Sequence, residues 1–147
     1  MKDQSCIFCK IANGEIPSTQ IYEDADFRVI LDLSPASKGH ALILPKEHAK
    51  NLFELPDETA EKAILVAKKV GAAMMQSLGC TGLNLVQNNG EAAGQTVMHF
   101  HLHLIPRYDG DDAMIQWQSH SSEPKEQEEI AEKLRRALAG RQHDDEN

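Results

Sequence analysis

The sequence predicts an α+β fold: a five-stranded antiparallel sheet with one long helix and one or two shorter ones. Three observations predict it. Five short β-branched or aliphatic runs are separated by turn chemistry, a single long amphipathic helix divides the third run from the fourth, and the connections are short. Short connections suit antiparallel neighbours rather than the crossovers of a parallel sheet, so the order β-β-β-α-β-β implies a layered fold with helices on one side. No internal repeat interrupts the 147 residues, and one domain is expected over 1–120, followed by an amphipathic helix and charged tail over 121–147.

The elements follow in order. "SCIFCKIANG" reads as a short helix closed by Asn13-Gly14, residues that readily take a left-handed C-terminal conformation. "TQIYE", "FRVILDL" and "HALILP" are strands, parted by "DAD" and "SPASKG". From Asp57 to Leu78, Ala60, Ala63, Ile64, Ala67, Val70, Met74 and Leu78 recur at helical spacing and are expected to face the core. Asp57, Glu58 and Glu61 sit near that helix's positive end, and Gly79 marks its stop. "LNLVQN" is a fourth strand, "NGEAAGQT" a glycine-bearing loop and "MHFHLHLIP" a fifth strand. From Pro124 an amphipathic helix carries Ile130, Leu134, Ala137 and Leu138, and "RQHDDEN" is expected to be disordered.

Composition excludes several classes. A formal charge of −8 argues against broad nucleic-acid binding, which draws on clustered Lys and Arg. No run approaches the ~18 apolar residues of a membrane span, and the first ten residues lack a signal-peptide core, so a cytoplasmic protein without a membrane partner is expected. Three cysteines, Cys6, Cys9 and Cys80, are too few for a disulfide scaffold.

Two clusters carry chemistry. His99, His101 and His103 fall at every second position of the fifth strand, which would place them on one face with Phe100, Leu102 and Leu104 on the other. An exposed polar face, a metal site and a nucleophilic or acid–base site are the three readings open to such a triplet. Cys6-x-x-Cys9 is a redox pair, half a metal site or two buried thiols; nothing strand-like precedes it, which favours zinc over a thioredoxin-like motif. In the loop, Gly90 and Gly94 permit unusual backbone angles, so successive N–H groups can form an anion nest, with Gln95 and Thr96 adding donors.

The run His99-Phe-His101-Leu-His103-Leu-Ile105 satisfies the signature of the histidine triad (HIT) family at all seven positions. "CIFCKI…GEIP", "LDLSPASKGHALILPKEH" and "NLVQNNGEAAGQTVMHFHLHLIPR" resemble successive blocks of that family, over roughly Cys6 to Trp117. The chain is most similar to its bacterial, zinc-carrying, nucleoside phosphoramidase-like branch. The resemblance implies a HIT-like fold whose protomers pair into one continuous sheet, and an enzyme that hydrolyses or transfers nucleoside monophosphate–X substrates, phosphoramidates or dinucleoside polyphosphates.

By that resemblance His101 attacks phosphorus and forms a nucleotidyl-histidine, His103 bonds the phosphate or leaving atom, and His99 supports the nucleophile. Asp32 matches the residue that bonds the ribose of a purine nucleotide; Asn88, Gln95 and Thr96 match contacts to the phosphate region. Cys6, Cys9, His48 and His99 match a closed, structural Zn site, and His40 a histidine beside the triad. Two other functions stay open at this point: a zinc-dependent hydrolase using triad histidines as ligands, and a nucleotide-binding or protein-interaction module with incidental turnover. Trp117 reaches the active site or a partner, or simply anchors the tail. His120, His143 and Cys80 carry no functional signal.

Overall fold

A computed structural model describes residues 2–145. The elements are α1 (Ile7–Ala12), β1 (Gln20–Glu23), β2 (Phe27–Leu31), β3 (Ala41–Pro45), α2 (Asp57–Ser77), β4 (Gly82–Val86), β5 (Leu102–Arg107) and α3 (Pro124–Asp145), with a 3-10 turn at Glu91–Ala93. The five strands form one antiparallel sheet in the order β1-β2-β3-β5-β4. They belong to a compact unit that ends at Met114, and α3 belongs to a second unit that begins at Ile115. No described helix is long and apolar enough to cross a membrane.

The sheet is covered on both faces, which corrects the expectation of helices on one side. α2 packs Ala63, Val66, Ala67, Val70 and Met74 onto Phe27, Val29, Ala41, Ile43, Leu102 and Leu104. Alternate residues Ile30, Leu42 and Leu44 point the other way and meet Ala12, Phe8 and Ile11 of α1. All five residues of β3 are therefore buried. A strand apolar at consecutive positions needs cover on both faces, and "ALILP" carries that signal.

Three further expectations shift. The buried face of α2 is rotated: Val66 and Gly71 face inward while Ile64 is 55% exposed. Gly71 is small for a reason, since a Cβ there would stand 2.6 Å from Leu83 Cδ2 of β4. The fifth strand begins at Leu102, so His99 and His101 precede it in irregular backbone and only His103 lies within it. The cause is visible in the hydrogen bonds: the Phe100 N–H goes to the Ala49 carbonyl at 2.7 Å, away from the ladder. Finally, residues 141–145 continue α3 rather than being disordered, and residues 146 and 147 lie outside the described residues.

Candidate functional site

The first cluster forms where α1, the turn after β3 and the segment before β5 meet. Cys6 is the N-cap of α1 and Cys9 lies in its first turn, so one short helix presents both sulfurs together. Sγ of Cys9 lies 3.4 Å from Nδ1 of both His48 and His99, Sγ of Cys6 lies 3.4 Å from Nδ1 of His99, and the two Nδ1 atoms are 3.3 Å apart. Tetrahedral zinc with Zn–N and Zn–S bonds of about 2.0–2.3 Å requires ligand separations of roughly 3.3–3.8 Å, so the four residues fit the ion. His99 donates Nε2–H to the Pro45 carbonyl at 2.9 Å, which leaves the Nδ1 lone pair facing the cluster. Burial pushes the His99 imidazole down to about 4 and raises the Cys9 thiol.

A second chain of contacts fixes the other histidines. The backbone carbonyl of His99 accepts Nδ1–H of His101 at 2.7 Å, so Nε2 of a neutral His101 carries a bare lone pair. On the far side the Ala36 N–H donates to Nδ1 of His40 at 2.9 Å, which puts the His40 proton on Nε2. That Nε2–H donates to Nδ1 of His103 at 2.9 Å, leaving the His103 proton on its own Nε2. The rings of His101 and His103 lie 5.0 Å apart, one offering an electron pair and the other a hydrogen. Asp32, His40 and His103 also gather, with Asp32 Oδ2 3.7 Å from His40 Nε2. The 2.9 Å contact between two imidazole nitrogens is a hydrogen-bond distance, shorter than a tetrahedral ligand edge, so this group is a proton chain rather than a metal site.

Burial holds all three rings neutral. It lowers His40 and His101 below the ordinary value, and it pushes His103 down to about 4 with help from His101 and His40. Between about 4 and 6.5 the unfolded chain therefore binds a proton at His103 that the folded chain refuses. Stability from this group is complete above pH 6.5 and falls as pH drops through that window. Thermal unfolding followed from pH 7 to pH 4.5 should show a falling midpoint, and His103→Gln should make the fall shallower.

The loop before the histidines behaves differently from the nest expected of it. Gly90 and Gly94 do take positive φ, +90° and +95°. Their N–H groups, however, are spent inside the loop, Gly90 on Gln95 Oε1 and Gly94 on the Glu91 carbonyl. Gln95 is 2% exposed, and its Nε2 donates to the carbonyls of Lys50 and Val97. It braces the loop, which corrects its reading as a donor for phosphate. Thr96 is exposed and Asn88 half-buried. Trp117, in the second unit, is 86% exposed.

Sequence reading missed an apolar cavity of about 660 Å³ beside Asp32, walled by Ile7, Phe8, Ile11, Ile16, Ile30 and Leu42. Phe8 also sets its ring edge against His101, centroid to centroid at 5.0 Å. The available signal was the consecutive apolar residues of β3 and of Val29–Leu31 in β2, which imply that something covers their second face.

Known proteins resemble this chain in sequence and in fold. "Protein hit" of Bacillus subtilis is 40% identical over 139 residues, spanning 92% of this chain and 96% of that protein. An adenosine 5'-monophosphoramidase of Schizosaccharomyces pombe is 40% identical over 131 residues, 88% of this chain and 96% of that one. The crystal structure of a Zn-bound histidine triad family protein from Mycobacterium smegmatis superposes with a TM-score of 0.72 at 39% identity, covering 79% of this chain and 84% of that one. The HIT domain matches residues 13–110, and with these likenesses the chain belongs to the HIT-domain family.

Proposed function

We propose that this chain hydrolyses nucleoside monophosphate–X substrates through a covalent nucleotidyl-histidine on His101. The observation that carries the reading is the pair of opposed tautomers: a bare Nε2 on His101 beside a protonated Nε2 on His103. A neutral imidazole suits attack on an anionic phosphorus centre, since no charge of its own has to be desolvated. In the first step His101 Nε2 bonds to the α-phosphorus, the P–X bond breaks and X departs with the electron pair. Water then attacks phosphorus, the P–N bond breaks with its electron pair returning to Nε2, and nucleoside monophosphate leaves, the proton lost by water balancing the one taken up by X.

The rest of the substrate follows from the surroundings. The base enters the apolar cavity, whose volume suits a nucleoside, and Asp32 at its rim takes the ribose hydroxyls. His103 donates to a phosphate oxygen or the leaving atom, Asn88 and Thr96 reach the phosphate region, and Gln95 contributes by bracing the loop through Gly90, Lys50 and Val97. A purine monophosphate bound to an amine is the substrate class favoured, supported by relatives named adenosine 5'-monophosphoramidase. Cys6, Cys9, His48 and His99 hold a structural zinc, which supplies a cross-link between α1 and the histidine segment. Four protein ligands leave no position for water, and only His99 of the triad faces that cluster, which argues against a zinc-hydroxide mechanism. Free thiol ligands need a reducing compartment, consistent with a cytoplasmic enzyme.

Incubation with a substrate labelled in the α-phosphate, followed by acid-free quench and peptide mapping, tests the mechanism. Label on the peptide carrying His101 is expected; its absence despite turnover and a rapid quench favours direct attack by water.

The reading includes a homodimer. β4 stands at the edge of the sheet, with Leu85 44% exposed on it and Ile64 and Leu65 exposed on α2. Pairing two such edges across a two-fold axis satisfies the backbone groups and covers the apolar side chains. Light scattering should give twice the 16.3 kDa chain mass; a monomer at micromolar concentration contradicts it.

A further inference from the structure

The second unit holds a feature that the proposed catalysis does not use. α3 runs 22 residues and carries Ile130, Leu134 and Leu138 along one stripe, exposed by 48%, 58% and 61%. At 100° per residue, Gln127 and Arg141 extend the same stripe at its two ends, while Glu132 and Arg136 lie opposite and pair with each other at 3.1 Å. Between Pro124 and Arg141 the charges divide along the axis, and Asp144 and Asp145 close the helix. Residues 124–132 hold four glutamates and one lysine, net −3, whereas residues 133–141 hold one lysine and three arginines with no acid, net +4. The boundary between the halves falls beside Leu134, the middle of the apolar stripe.

A lone helix also gains from acids at its start and bases at its end, and Arg135 bonds Glu128 at 2.9 Å within the helix. That accounts for the charges but leaves three large aliphatic side chains in water. We propose that α3 pairs with α3 of a second copy of this chain, antiparallel and centred on Leu134. In that register Leu134 meets Leu134, Ile130 meets Leu138 of the second copy, and the cationic half of each helix lies along the acidic half of the other. A parallel pair would align like charge with like, which makes the charge pattern choose the direction. The inference stands on α3 alone and does not depend on the catalytic reading or on pairing at β4.

The test uses the full chain with a photoreactive phenylalanine analogue placed in turn at positions 130, 134 and 136, irradiated and mapped by mass spectrometry. Crosslinks from 130 and 134 into residues 124–141 of a second copy are expected, and none above background from 136. Mixing light and heavy-isotope protein identifies crosslinks between copies. Reversing the cationic half (K133E, R135E, R136E, R141E) should abolish the crosslink at 134. Mixing that variant with one whose acidic half is reversed (E126K, E128K, E129K, E132K) should restore it. Crosslinks from 134 into residues 2–114, no crosslink at all, or failure of the mixture to restore it overturns the proposal. Helicity of both variants by circular dichroism identifies any loss that comes from an unfolded α3.

Discussion

His101→Ala should lower turnover of a nucleoside phosphoramidate by ~10⁴-fold or more, with nucleotide binding kept within a few-fold. The magnitude follows from what is removed. The Nε2 lone pair of His101 is left bare by the Nδ1–H bond to the His99 carbonyl, whereas the bare nitrogen of His99 faces the cysteine cluster. The Nδ1–H bond to the His99 carbonyl holds the ring in place at 2.7 Å, so the nucleophile needs no reorganisation before attack. In the proposed binding mode the substrate is held by other residues, chiefly the apolar wall from Ile7 to Leu42 and Asp32, so binding should survive the change. Single-turnover kinetics with equilibrium binding of the monophosphate product separates the two effects. A variant that keeps a tenth of wild-type turnover would overturn the assignment of His101 as nucleophile.

Removing the proposed metal ligands should act on stability instead. Cys6→Ser with Cys9→Ser is expected to cost about 3–5 kcal/mol, a lowering of the unfolding midpoint of roughly 10–20 °C for a unit of this size. α1 is six residues long, too short to hold its shape without tertiary anchors, and both thiols lie at its start. Loss of the cross-link therefore frees the helix that walls the cavity. Elemental analysis should find one zinc per wild-type chain and none in the double variant. Below its lowered midpoint the variant should turn over within several-fold of wild type, because His101 keeps its carbonyl partner. Folded protein with no turnover would instead assign the metal a direct part in the reaction.

The particular residues show how far sequence reading reaches. The seven-position pattern at His99–Ile105 named the family before any geometry, and the four proposed metal ligands came with it. Their convergence, with all four ligand atoms within 4.8 Å of one another, could not be read from the chain, since Cys6 and His99 are 93 residues apart. The strand assigned to all three histidines begins too late for two of them, because period-2 alternation does not reveal that the Phe100 N–H leaves the ladder for the Ala49 carbonyl. α2 was placed correctly along the chain yet rotated on its axis. Ile64 is apolar enough to suggest the core, while Gly71 has no side chain to announce that β4 packs against it. Gln95 looked like a phosphate donor and proved to be a brace, because which carbonyls lie within its reach depends on Lys50, 45 positions away.

What the sequence determined by itself is what depends on neighbours along the chain: the existence and type of each helix and strand, the apolar runs within them, and the spacing of the triad imidazoles. Only the tertiary structure decided which ring nitrogen carries each proton, which face of the sheet α1 covers, and where the cavity opens. Two of the tautomers are set by groups brought together across the fold, Pro45 for His99 and His40 for His103, while the His99 carbonyl that fixes His101 is a local partner two residues away. An imidazole's tautomer belongs to its hydrogen-bond partners, and no local pattern of residues specifies partners that arrive from another strand.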